Sequence, residues 1–156
     1  MNALDQDMVD SLQNRLRAWK KGVHPRVVII KGAGEKAFCA GGDIVSIYNS
    51  QIKGINTEIP WNFFAQEYIV DNALATMDSI QISLWNGIVM GGGVGVSAHA
   101  PIWIATNNTV YAMPETGIGF FTDVGGSYFL PRLHDNICTG LYLGITGFRL
   151  KGADVS

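Results

Sequence analysis

Apolar residues recur near the start of the chain at spacings of three and four: Leu4, Met8, Val9, Leu12, Leu16 and Trp19. This stripe predicts an amphipathic helix that must lean on a larger body. The pattern then becomes an unbroken apolar run, "RVVIIKG" (Arg26 to Gly32), which reads as a short buried strand closed by glycine. After the loop "GAGEKAFCAGGD", Asp43 is placed to cap a short helix carrying Ile44, Ile47 and Tyr48. Pro60 opens a longer helix carrying Trp61, Phe64, Tyr68 and Leu74, and "NSQIKGINTEI" between the two reads as a flexible surface connection.

"SIQISLWNG" (Ser79 to Gly87) is a second strand, and "VMGGGVGVSAHA" a glycine-rich turn running into a helix of small residues. "PIWIAT" and "TVYAM", separated by Asn107-Asn108, are two more strand candidates. Gly125 to Ile145 has helical spacing in Phe129, Leu133, Ile137 and Leu141, with Pro131 at a break or a first turn. Helices alternating with buried strands predict an α/β protein. The 156 residues leave room for a single domain, residues 1–156. A helix begins almost at Met1 and the chain stops at "LKGADVS" soon after an apolar segment, so that domain is expected to be partial at both ends.

Charge removes some partners from the picture. A formal net charge of −2, with both signs scattered, provides no basic stripe for nucleic acid and no polybasic segment for an anionic membrane. No apolar window reaches the roughly eighteen residues a membrane helix needs. Cys39 and Cys138 lie far apart without His or Cys neighbours at metal spacing, so neither a zinc site nor a disulfide framework is expected. "NALDQDMVDSL" lacks the features of a signal or transit peptide.

Two loops share one logic. "AFCAGGD" and "VMGGGVG" put consecutive glycines where a strand gives way to a helix, which bares backbone N–H groups able to donate to an oxyanion. Neither loop has the spacing of a phosphate-binding motif, and glycines kept only for tight packing are the alternative. "GVSAH" falls short of a nucleophile elbow, so Ser97 and His99 are read as structural. Cys39 is read as a small core residue, and His24 and His134 as solvated surface groups. Glu115 and Asp123, in "PETGIGFFTDVGG", have no Lys or Arg between them. Either they decorate exposed turns, or they are kept in an apolar surround where a carboxyl becomes a competent acid, base or nucleophile.

"EKAFCAGGDI", "GIVMGGGVGVSAHAPIWIATNNTVYAMPETGIGFFTDVGGSYFLPRL" and "GFRLKGADV" together resemble the crotonase superfamily, the enoyl-coenzyme A hydratase/isomerase group. The resemblance implies a spiral of β-β-α turns, here incomplete at both termini. It implies a coenzyme A thioester substrate whose carbonyl oxygen lies between the N–H groups of Gly42 and Gly92. Hydratases of the group carry a catalytic Glu at the position of Gly95, so what remains resembles the group's thioester hydrolases. On that likeness Glu115 and Asp123 are the acidic catalytic pair, and Glu67 also lines the substrate site; taken alone, a helical Glu67 would be solvated.

The activity implied is hydrolysis of a short branched 3-hydroxyacyl-coenzyme A in valine breakdown. Coenzyme A enters as part of the substrate, no metal or other cofactor is expected, and a homo-oligomer is allowed. For a eukaryotic source the resemblance implies mitochondria. Two other readings stand beside it: a hydratase or isomerase using Glu115 alone, and an inactive shortened chain acting as an interaction partner. The shortened ends also imply exposed apolar surface.

Overall fold

The computed structural model describes residues 1–52, 58–133 and 137–155. Helix α1 (Gln6–Lys21) starts where expected: the Asp5 side chain caps it by accepting the Met8 N–H at 2.8 Å. Leu4 precedes the helix and bridges to Gly42, its N–H donating to Gly41 O and its carbonyl accepting from Asp43, both at 2.8 Å. That bridge anchors the glycine loop after strand β2.

The strands come in pairs, and each pair divides between two sheets. β1 (Val27–Lys31), β3 (Ile80–Trp85) and β5 (Ile102–Ala105) form one parallel sheet in the order β1-β3-β5. β2 (Ala37–Cys39), β4 (Ile88–Met90) and β6 (Val110–Ala112) form a second parallel sheet, to which β7 (Leu150–Lys151) adds antiparallel. Helices return the chain between pairs: α2 (Ile44–Ile52) and α3 (Glu58–Ala75) after the first, and α4 (Gly92–Gly95) after the second. Each turn of chain is thus a β-β-α unit stacked on the last, since parallel strands require a crossover.

α5 (Gly126–Phe129) and α6 (Ile137–Thr146) complete the helices, with Pro131 in a 3₁₀ turn between them. The core between the sheets and α3 includes Val89, Val94 and Met113, none of them accessible to solvent.

Four readings need correction or bounding. β1 is not buried on both faces: Val27 and Ile29 are exposed, as are Ile80 on β3 and Ile102 and Ile104 on β5, leaving one face of that sheet open. α6 likewise exposes Ile137, Leu141 and Ile145, in line with the expected apolar surface. Ala37 to Cys39, read as loop, is strand β2, because pairing with β4 satisfies a backbone too short to show periodicity. The connection at 49–59 is mostly helix at its ends, while its centre, 53–57, and His134 lie outside the described residues.

Candidate active site

The two glycine loops face each other across a cleft of about 170 Å³. Its walls hold all five residues singled out from the sequence, Gly42, Glu67, Gly92, Glu115 and Asp123. Gly42 follows β2 and Gly92 opens α4 after β4, so adjacent strands of one sheet deliver both amides to the same rim. Among the described residues, neither the Gly42 nor the Gly92 N–H has a hydrogen-bond partner. Bare amides at a strand-to-helix turn are donors held ready for an anionic oxygen.

The glycines are required by what packs on them. Gly91 has φ +50°, in the region L side chains avoid, and a Cβ there would stand 2.7 Å from Glu115 Oε1. A Cβ on Gly92 would overlap Glu67 Oε1 and approach Leu4 Cδ1 to 3.1 Å. The loop is therefore bare on the side where the carboxyls sit.

Glu115 opens a 3₁₀ turn, Glu115–Ile118, directly after Pro114 at the end of β6. Asp123 follows eight residues later in the turn before α5. Both are buried, at 7% and 9% exposure, which removes the possibility that they decorate exposed turns. Glu67 is 2% exposed, so the solvated-helix expectation for that residue is overturned as well. α3 turns its Glu67 side inward because the glycine loop leaves room for a carboxyl there.

Charge sets the state of these acids. Burial raises all of them, with no cation among the causes: Glu115 is pushed up to about 7, and Glu67 to about 8 with the Asp123 and Glu115 charges adding. Asp123 is raised by burial but is held back by Tyr68, whose hydroxyl donates to Asp123 Oδ2 at 2.7 Å. The Tyr68 bond thus favours the ionised form of Asp123, whereas burial favours the protonated form of Glu67, and Glu115 titrates near neutral pH. One wall is apolar, with Phe64 stacked on Phe120 at 5.4 Å between ring centres.

The residues read as structural take structural places. Ser97 is buried, donates to Gly93 O at 2.6 Å and accepts from Trp85 Nε1 at 3.0 Å, tying α4 to β3. Burial pushes the Cys39 thiol up to about 11, away from nucleophilic use. His24 is exposed, and His99 packs against Tyr128 and Phe129.

The enoyl-CoA hydratase/isomerase family matches the chain over residues 1–156. The chain belongs to that family. It is 51% identical over 155 residues to the mitochondrial 3-hydroxyisobutyryl-CoA hydrolase of Danio rerio, covering 99% of this chain and 40% of that protein. Against the enzyme of the same name from Dictyostelium discoideum the identity is also 51%, over 161 residues, with 99% and 42% covered. The chain therefore spans about 40% of the length of these curated relatives.

Among solved structures it matches a carnitinyl-CoA dehydratase from Mycobacterium thermoresistibile at TM-score 0.86 and 40% identity, covering 98% of this chain and 44% of that one. An enoyl-CoA hydratase from Rhodobacter sphaeroides matches at TM-score 0.88 and 35% identity, with 98% and 44% covered. The fold is the crotonase fold.

Two polar residues at the site escape a reading of the sequence. Tyr68 reads only as part of an apolar stripe, and Asp71, 5% exposed and with neither carboxyl oxygen hydrogen-bonded among the described residues, belongs to no motif. A signal is nonetheless present in "EYIVD": acids at i and i+4 on one helix face with no neighbouring cation.

Proposed function

We propose that this chain is an acyl-CoA thioester hydrolase, converting 3-hydroxyisobutyryl-CoA and water to 3-hydroxyisobutyrate and coenzyme A in valine degradation. The observation that carries the reading is the buried pair Glu115 and Asp123 facing two unengaged glycine amides in one cleft. The names of the relatives support the substrate, and their mitochondrial designation supports that compartment for a eukaryotic source.

In the proposed reaction the thioester oxygen sits between the Gly42 and Gly92 N–H groups, which polarise the carbonyl. Glu115, ionised, takes a proton from water as the water oxygen bonds to the thioester carbon. The resulting oxyanion is stabilised by the two amides, one such donor being worth about 3–4 kcal/mol. Collapse breaks the carbon–sulfur bond, and the coenzyme A thiolate departs with the proton returned from Glu115. Asp123, oriented by Tyr68, holds the water or the substrate's 3-hydroxyl, while protonated Glu67 lines the acyl side. Coenzyme A is part of the substrate, and the scheme draws on no metal or separate cofactor.

The test is release of free thiol by the 156-residue chain from 3-hydroxyisobutyryl-CoA, run beside crotonyl-CoA with detection of alkene hydration. Thiol release from the first and no hydration of the second is expected. Hydration without thiol release would assign the chain to the hydratase branch, and neither activity in a cooperatively folded chain would overturn the enzymatic reading. Single turnover in oxygen-18 water separates direct attack from an anhydride: label in the Glu115 carboxylate would show that Glu115 is the nucleophile.

A further inference from the structure

Val124 is buried and β-branched, yet its backbone has φ +43°, in the left-handed region that such a residue occupies only when its surroundings force it. It lies directly after Asp123 and before Gly125, itself at φ +83°. The turn is closed by the Gly126 N–H donating to Asp123 O at 2.6 Å. Left alone, a Val-Gly-Gly segment would relax to a conformation less costly for valine and carry the Asp123 side chain with it.

What holds it is the bare face of Gly95. A Cβ on Gly95 would stand 2.6 Å from Val124 Cβ, and 3.0 and 3.1 Å from the two carboxyl oxygens of Asp71. The Val124 side chain therefore occupies the place a side chain at 95 would take. Gly95 belongs to α4, the helix whose first residue, Gly92, presents the bare amide, and Val124 itself lines the cleft. The contact joins the element bearing the oxyanion donor to the turn bearing the acid.

We infer that Val124 is a positioning residue, a wedge seated on Gly95 that fixes Asp123 relative to the Gly92 amide. It touches no reacting atom and acts through Asp123. On this account the missing side chain at 95 and the working position of Asp123 are one feature, since any side chain there displaces Val124 and with it the acid. The functional consequence rests on the hydrolase reading; the positioning itself does not.

The test is a double-mutant cycle in the full chain with G95A, V124G and the pair together, reading kcat, KM and melting temperature, plus the ring resonance of Tyr68, whose hydroxyl donates to Asp123. G95A is expected to lower kcat by roughly ten- to a hundredfold with KM changed by less than about threefold, the loss typical of a small displacement at a reacting centre. V124G alone is expected to lower kcat roughly tenfold and to broaden the Tyr68 resonance. In the double variant the methyl introduced by G95A enters the space that V124G vacates, so kcat should exceed that of G95A by about tenfold and the resonance should return.

Wild-type kcat in G95A, or losses in the double variant that simply multiply, would overturn the wedge. So would a kcat loss in proportion to the fraction unfolded at the assay temperature, since that marks a merely structural contact. If the wild-type chain hydrolyses no thioester, the hydrolase reading fails by itself, and the Tyr68 resonance across the four proteins still decides the positioning.

Discussion

Tyr68 on α3 donates its hydroxyl to Asp123 Oδ2 at 2.7 Å, spanning 55 positions of sequence. Helix and turn are thereby joined at an acid whose ionised form the bond favours. A hydrogen bond to a charged acceptor contributes about 1.5–3 kcal/mol. Tyr68→Phe should therefore reduce kcat by roughly tenfold with little change in KM. Because the bond lowers the Asp123 pKa, its loss raises it, and the acid limb of the pH–rate profile should move to higher pH. An unshifted profile would remove Tyr68 from the site.

Glu115→Gln keeps the shape of the side chain and abolishes its basicity. Hydrolysis of 3-hydroxyisobutyryl-CoA should fall by roughly 10²–10⁴-fold, the usual worth of a positioned base, with melting temperature held or raised because a buried acid has gone. In the wild-type chain kcat/KM should rise with pH through about 7 as Glu115 ionises. Near-normal turnover in the Gln variant would end the catalytic assignment.

Gly92→Ala drives a methyl into Glu67 Oε1 and toward Leu4, so the loop must shift and its amide with it. Loss of one oxyanion donor costs about 10²–10³ in kcat, and a loss of that size is expected here. Circular dichroism on the same sample establishes that the variant is folded.

The pH dependence of stability follows from the direction of the shifts. Glu67 at about 8, Asp71 at about 9 and Glu115 at about 7 all titrate in the folded chain above their unfolded values, and Asp123 is raised too. A raised acid contributes stability that is complete below its unfolded pKa, near 4, and is lost as pH climbs through the folded value. The melting temperature should therefore fall from pH 5 to pH 9. Asp71→Asn should flatten that fall and raise the melting temperature at pH 8 by at least about 3 °C, the shift that ~1 kcal/mol produces in a chain of this size.

Local chemistry was legible where it depends on neighbours in sequence. The stripe from Met8 to Trp19, the Asp43 cap and the alternation of helix with apolar strand specify α1, α2 and the α/β class, because capping and periodicity act over a few residues. The two glycine loops were readable as donors for the same reason: consecutive glycines between strand and helix bare their amides wherever the chain goes next.

What the sequence could not decide was burial at a distance. Glu67 on a helix and Glu115 and Asp123 in turns are ordinary surface residues until the β-β-α stacking closes α3 over the glycine loop. Only then does desolvation raise their pKa values and turn decoration into candidate chemistry. The same closure brings Tyr68 to Asp123 and seats Val124 on Gly95. Sequence by itself determined which groups were available and how each short segment would fold. Tertiary structure decided which of them meet, because the cost of removing a carboxyl from water depends on the elements packed around it.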